Sequence, residues 1–341
     1  MLDVGIIGLG PAWETRYRPA LHALRSRLRV RAVHDQVSNR AHFVAEEFGA
    51  QVSLGVAALI ARPDVQAILL LDSGWYGHVP LHFACTTGKP VYIAGGLGDS
   101  LESLLLLQQK VAERGIDFMP EFSRRYAPTT GRLQELMATR LGRPREIRVQ
   151  AVLPGSGRLP IVPGQTTELD FLIGLVDWCR YLVGTPPREI HTLQDPLPGT
   201  FRLSENAPRN LRPERQIILE FQMSQSDGHP ARASLELLSP GTLGAAASEI
   251  CGRSGLRCEV ICARGRAEVH DGVTLAWGAE GTLACESLTS DRPEVEVMLD
   301  HFCRRVVGGL VPIPSLDDVR HCFNIVEAVR RSQREGRPVA M

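Results

Sequence analysis

Lysine is nearly absent from this chain of 341 residues: Lys89 and Lys110 are the only two among 38 basic side chains. A lysine serving as acid, base or nucleophile therefore has two candidates. Excess charge of either sign is also missing, since 38 Lys and Arg balance 38 Asp and Glu. A general electrostatic attraction to nucleic acid or to an anionic membrane is not indicated on that ground. No apolar run approaches the roughly 20 residues that a membrane helix needs. The N-terminal residues pass straight into an apolar strand, Val4-Gly5-Ile6-Ile7, without a signal-peptide pattern. Clustered metal ligands are lacking too. The eight cysteines are scattered, and although Cys258 and Cys262 lie close together, no second Cys or His pair completes a zinc site. The expectation is a cytoplasmic protein with reduced thiols, no metal, and neither nucleic acid nor membrane as a partner.

What is present is enough chain for two domains. Hydrophobic content of 44% and charged content of 22% are those of an ordinary globular protein. Over residues 1–120 strands and helices alternate. Val4 to Ile7, Val30 to Val33, Val65 to Leu71 and Pro90 to Ile93 read as strands. Arg18 to Leu28, Ala41 to Phe48, His78 to Thr87 and Leu101 to Arg114 read as helices between and after them. That alternation predicts a doubly wound parallel sheet, a Rossmann-type α/β domain. Residues 121–341 change character. Arg145 to Leu153, Gln216 to Met223, Arg232 to Leu238 and Arg257 to Ala263 alternate like half-buried strands. Glu168 to Val183, Pro293 to Val307 and Leu316 to about Arg334 have helical spacing, and Pro128 and Thr129 open a further helix. Strand runs with few helices predict an α+β domain with a large, open, mostly antiparallel sheet. Asp195 to Pro213, rich in Pro, Asn and Arg, reads as a surface loop.

The cofactor signal is the turn Gly8-Leu9-Gly10 between the first strand and a helix. Backbone amides at such a helix start can hold a pyrophosphate, and glycine permits its close approach. The pattern is incomplete: Pro11 and Ala12 lead to Trp13, which stands at the third glycine of G-x-G-x-x-G. Asp35, at the end of the second strand, is placed to accept hydrogen bonds from an adenosine ribose. An acid there repels a 2′-phosphate, so NAD is expected over NADP, with Arg40 nearby as the feature favouring NADP. Arg124 and Arg125 suit a carboxylate or phosphate. Asp170 and Asp177 lie seven apart, on one helix face.

In this order the motifs resemble the Gfo/Idh/MocA family, the glucose–fructose oxidoreductase and inositol dehydrogenase group. Val4-Gly5-Ile6-Ile7-Gly8-Leu9-Gly10 is similar to its opening strand and turn, and Gly88-Lys89-Pro90-Val91 to its G-K-x-V strand. Phe122-Ser123-Arg124-Arg125-Tyr126 is similar to its N-x-R-[FY] segment. Asp170-x-x-x-Gly174-x-x-Asp177 is similar to its D-x-x-x-H-x-x-D helix, and Gly336-Arg337-Pro338-Val339 to its C-terminal tail. The resemblance implies an NAD(P)-dependent oxidoreductase acting on a sugar, polyol or related carbonyl compound. It implies assembly into a homodimer or homotetramer through the C-terminal sheets. It also implies a cofactor set of Gly8, Gly10, Pro11, Ala12, Trp13, Asp35, Arg40, Ser73 and Gly95. The substrate set that goes with it is Trp75, Glu121, Arg124, Arg125, Asp170, Gly174 and Asp177.

Two departures fall on the chemistry. Where the family carries its catalytic Glu-Lys-Pro this chain reads Ala94-Gly95-Gly96, and where the family carries its histidine it has Gly174. Hydride transfer to or from an alcohol carbon needs a positioned acid or base, typically worth on the order of 10²–10⁴ in rate. Glycine supplies neither. Tyr76 and His78, beyond the third strand, and Asp170 are the remaining candidates for the proton, although Tyr76 equally reads as lining the cofactor crevice. Two functions stay open: an oxidoreductase with a relocated proton donor, and a catalytically inactive relative that binds NAD or a sugar-like ligand as sensor or partner subunit.

Overall fold

The computed structural model describes all residues except Trp75, 96–100, 154–167, 195–214, 224–229, 239–255, Asp271, 280–282 and Ser290. The expected ligand residue Trp75 and the expected surface loop 195–213 therefore lie outside the described residues. The chain forms two compact units, one built chiefly from Met1–Ser123 and Arg292–Arg320, the other chiefly from the segment after Arg124, Phe171–Asp291 and His321–Met341.

The first unit holds six parallel strands: β1 (Leu2–Ile7), β2 (Leu28–His34), β3 (Gln51–Val52), β4 (Ala67–Leu70), β5 (Val91–Ile93) and β6 (Phe118–Pro120). Their spatial order is β3-β2-β1-β4-β5-β6, so the strand order reverses between β1 and β4. Ligands in such sheets bind beyond the strand C-termini at that switch point. Val4, Ile6, Ile7 and Ile68 to Leu70 are fully buried, as expected where helices cover both faces. The helices are α1 (Arg18–Ala23), α2 (Ser38–Phe48), α3 (Val56–Ile60), α4 (Val79–Thr87) and α5 (Leu101–Arg114). The first helix differs from expectation. Trp13–Tyr17 form a single π-turn, and α1 ends at Ala23 rather than Leu28. Leu28 instead opens β2 beside Leu2, because parallel pairing along β1 outweighs one more helical turn.

The second unit carries nine strands: β7 (Pro144–Val152), β8 (Pro187–Gln194), β9 (Arg215–Met223), β10 (Pro230–Leu238), β11 (Leu256–Cys262), β12 (Gly265–His270), β13 (Thr274–Gly278), β14 (Ala284–Ser287) and β15 (Val339–Ala340). They run β14-β13-β12-β11-β7-β10-β9-β8-β15, antiparallel apart from the β7–β10 pair. Register places Ile190, Leu219, Ala233, Ile147, Val260 and Ala267 in one row across the sheet, all buried. The next row is polar, with Ser234, Arg148, Glu259 and Glu268 side by side. The remaining helices are α6 (Ser123–Tyr126), α7 (Pro128–Leu136), α8 (Glu168–Val183), α9 (Glu294–Val306) and α10 (Leu316–Glu335). Thr192, on the apolar side of β8, donates its hydroxyl to the Val329 carbonyl at 3.2 Å and its backbone N–H to Ser332 Oγ at 3.0 Å, which pins α10 to that face. No helix among the described residues is long and apolar enough to cross a membrane. Among them no group of three His, Cys, Asp or Glu could hold a metal ion.

Candidate functional site

The glycine turn follows β1, at the switch point. Gly8 has φ 78°, and a Cβ there would meet the Asp72 carbonyl oxygen at 2.4 Å. Only glycine combines that conformation with so close an approach. At Gly10 a Cβ would stand 2.9 Å from Asp72 Oδ2. The turn is thus packed against the residue that follows β4, and that residue is an acid. Asp72 Oδ1 accepts the Gly74 N–H at 2.9 Å, which fixes the carboxylate beside the turn and sets the course of the chain through Ser73.

The amides of the turn are unevenly available. Gly8 N–H donates to the His34 carbonyl, and Trp13 N–H to the Gly10 carbonyl. Leu9 N–H donates to Asp35 Oδ2 at 2.7 Å, and Val37 N–H to Asp35 Oδ1 at 2.9 Å. Pro11 has no N–H. The amides of Gly10 and Ala12 alone remain without a partner among the described residues. Asp35 is largely buried and holds the turn, with Arg40 Nη1 at 4.0 Å from Oδ1. Trp13, where a third glycine was expected, is buried edge-on against Phe48, ring centroids 6.1 Å apart. An indole needs more room at the helix start than hydrogen does, and the chain meets it with the wider π-turn over Trp13–Tyr17.

Tyr76 lies over His34, ring centroids 5.6 Å apart. Burial first, then the carboxylates of Asp35 and Asp72, push its phenol up to about 12. His78 caps the start of α4 without a side-chain capping bond. Gly95 closes β5 with φ 82°, and among the described residues nothing stands within 4 Å of where its Cβ would be. Neither lysine is near these groups in its bonding: Lys89 Nζ donates to the Arg62 carbonyl at 2.6 Å, and Lys110 Nζ lies 3.1 Å from His82 Nδ1.

Glu121, the residue after β6, is the centre of a buried network in the first unit. Its Oε1 accepts Arg16 Nη2 and Ser123 Oγ, each at 2.8 Å. Its Oε2 accepts Tyr17 Oη at 2.8 Å and Tyr92 Oη at 2.6 Å. Burial raises the carboxyl, but Arg16 and the bonds from Tyr92, Tyr17 and Ser123 outweigh it and hold the group below its ordinary value. Both phenols are driven well above theirs by burial first and then by Glu121. Sequence reasoning named Glu121 and missed Arg16, Tyr17 and Tyr92. A tyrosine inside the apolar strand Val91–Ile93 is the signal, since a buried hydroxyl calls for a partner.

In the second unit Arg125 and Asp177 form a bidentate pair, Nε to Oδ2 2.7 Å and Nη2 to Oδ1 2.5 Å, with Asp177 buried in α8. Arg180 Nη1 stands 3.7 Å from the same Oδ1, and Cys322 Sγ 3.8 Å from it. The adjacent Arg124 behaves differently. Its guanidinium lies over the Phe171 ring at 5.3 Å, and burial lowers its pKa to about 10. A Cβ on Gly174 would stand 2.9 Å from Arg124 Nη1, so Arg124 occupies the space that a side chain at position 174 would need. Asp170 is on the first turn of the same helix, where the helix dipole favours an acid.

No curated protein matches this chain by sequence. Residues 2–92 match the model GFO_IDH_MocA, described as an oxidoreductase family with an NAD-binding Rossmann fold. Solved structures match over the whole length. An aldose-aldose oxidoreductase from Caulobacter crescentus, complexed with glycerol, is 17% identical with TM-score 0.75, covering 100% of this chain and 99% of that one. An oxidoreductase from Agrobacterium radiobacter in complex with NAD+, L-tartaric acid and magnesium is 17% identical with TM-score 0.74, covering 99% and 98%. The super-repressor mutant of Gal80p from Saccharomyces cerevisiae is 14% identical with TM-score 0.75, covering 99% and 97%. The chain has the fold of these proteins throughout, and residues 2–92 match the model of the Gfo/Idh/MocA oxidoreductase family.

Proposed function

We propose that this chain is a dinucleotide- and ligand-binding member of the oxidoreductase scaffold that has given up sugar-dehydrogenase turnover. The observation that carries the reading is the state of the two positions where the resemblance expects lysine and histidine. Gly95 stands at φ 82° with no described residue within 4 Å of where its Cβ would be, and the place of a side chain at 174 is taken by Arg124. Both lysines bond elsewhere. Burial and the carboxylates of Asp35 and Asp72 push the Tyr76 phenol up to about 12, away from the neutral range in which a general acid or base works best.

The residues of the first unit fit a dinucleotide, with reduced grip. Gly8 and Gly10 give the close approach, and the Gly10 and Ala12 amides would hold the pyrophosphate, while Asp72 opposes its charge. Asp35 favours NAD over NADP. A bound nicotinamide would supply a hydride acceptor or donor, and the protein residues described here would supply binding and orientation without a strong proton donor. The same fold carries repressor and oxidoreductase alike. A sugar- or polyol-like molecule is the ligand class proposed.

Calorimetry with NAD and NADP, beside absorbance at 340 nm across sugars, inositols and their oxidised forms, tests the reading. The expected result is NAD binding in the sub-millimolar range, weaker NADP binding, and no turnover. Turnover that falls at least about tenfold in His78→Ala would overturn it in favour of an oxidoreductase with a relocated donor. We also propose assembly through the polar face of the nine-stranded sheet. Arg148 with Glu146 and Glu259, and Arg257 with Glu268, order that face before any partner arrives. Light scattering at micromolar concentration should return a dimer or tetramer, and a monomer would count against it.

A further inference from the structure

A buried arginine that makes no hydrogen bond or ion pair is an expensive arrangement, because desolvation of a charge is costly unless something compensates it. Arg124 is that case. Its neighbours Arg125 and Arg180 approach Asp177, and Arg124 makes no hydrogen bond or ion pair among the described residues. Its contact is the face of Phe171. Phe171 and Gly174 are both partly exposed on α8, and the buried guanidinium lies against that stretch of the helix. Gly174 leaves room for this course, since a Cβ there would stand 2.9 Å from Nη1 and the guanidinium would have to shift. The planar fork of a guanidinium matches a carboxylate with two parallel bonds, and its stacking on an aromatic face fixes the plane in which those bonds point.

We infer that Arg124, laid over Phe171 through the gap left by Gly174, is the recognition point for the carboxylate of a small organic acid. This deepens the ligand-binding reading above. It narrows the ligand class from neutral sugars and polyols to their acids, such as aldonates and uronates, and it assigns Gly174 a positive task.

The test uses the full chain with gluconate, galacturonate and acetate as probes, and glucose, myo-inositol and inorganic phosphate as comparators. By calorimetry the acids should bind and the neutral compounds should bind at least tenfold more weakly. Arg124→Gln should weaken acid binding about 10- to 100-fold, as expected for loss of a charge-assisted pair. Gly174→Ala should weaken it too, by displacing the guanidinium. Both variants should keep the parent's NAD affinity, which separates this inference from the proposed function. Melting temperature distinguishes recognition from architecture. Removing an uncompensated charge should leave Tm unchanged or raised, whereas a packing role for Arg124 requires it to fall. Arg124-selective modification by phenylglyoxal, mapped by mass spectrometry, should be slowed by acetate and not by inositol. Equal affinity for acids and neutral polyols, no binding of any acid, phosphate binding tighter than every carboxylate, or acid binding unchanged in Arg124→Gln would each overturn the inference.

Discussion

Replacing Glu121 by alanine deprives four donors of their acceptor in one step, and the first unit should lose stability accordingly. The donors are Arg16, Ser123, Tyr17 and Tyr92, and both tyrosines are buried. Breaking a buried charged pair by removing one partner costs about 3–5 kcal/mol. Each orphaned hydroxyl would add about 1–3 kcal/mol if counted separately, but the losses share one carboxylate and do not add. Arg16 is 30% exposed at its side chain and recovers part of its loss in water. The working figure is therefore about 3–5 kcal/mol, a fall in Tm of about 6–20 °C for a domain of this size. Glu121→Gln keeps the shape and one acceptor oxygen and should fall between the parent and Glu121→Ala. The pH dependence has a definite sign. The folded carboxyl lies below its ordinary value, so its stabilisation is present above the unfolded value near 4.5 and is lost as pH falls through the lower folded value. Melts followed by circular dichroism between pH 3 and pH 7 should show the parent losing more stability on acidification than Glu121→Gln does. A Glu121→Ala protein that melts within about 2 °C of the parent while losing ligand affinity would refute the reasoning and give Glu121 to a ligand instead.

Asp72→Asn should raise dinucleotide affinity about three- to tenfold, by removing one negative charge beside the Gly10 amide, in titrations at low salt where screening is least. Glu236→Gln should stabilise the protein at pH 7. Burial first raises the Glu236 carboxyl, against the bond from Gln150 and the charge of Arg148, so its contribution is full at acid pH and lost as pH rises through the folded value; a Tm below the parent's at pH 7 would contradict this. The double variant Gly95→Lys with Gly174→His should not become a fast dehydrogenase, because the first lies at a φ that L residues rarely adopt and the second meets Arg124; turnover of ordinary dehydrogenase speed at 340 nm would show that the two glycines alone block the chemistry.

The parts of the fold that were legible in the sequence are those where one property runs along several consecutive residues. The apolar stretch ending at Leu71 and the alternation through Gln150 announced their strands, and the helices over Leu101–Arg114 and Glu168–Val183 have the expected bounds. Gln51–Val52 and Phe118–Pro120 were not legible, since two or three residues cannot display a period. The π-turn at Trp13 was not legible either: sequence shows that the ring is too large for the third glycine position, but not whether the ring or the backbone gives way. At the candidate sites the residue types could be read, whereas their commitments could not. Arg124 and Arg125 are neighbours in sequence with equal chemistry, and only the fold decides that one meets Asp177 while the other meets Phe171. Asp72 escaped notice because an acid after an apolar strand resembles any strand end until the Gly8 turn is seen packed on it.

The two glycines that replace the expected lysine and histidine differ physically, and the difference bears on what the scaffold does. At Gly95 the backbone is left-handed, and among the described residues nothing stands within 4 Å of where a Cβ would be. At Gly174 the space is taken by a cation from another helix. Simple decay of an unused site leaves vacancies and tolerates clutter, so it accounts for Gly95. It does not account for a guanidinium held out of water, over an aromatic ring, with no ion pair among the described residues. An arriving carboxylate would offset the desolvation that the Phe171 ring and the more distant Asp177 offset only in part, and the gluconate titrations of the parent and Arg124→Gln read that difference.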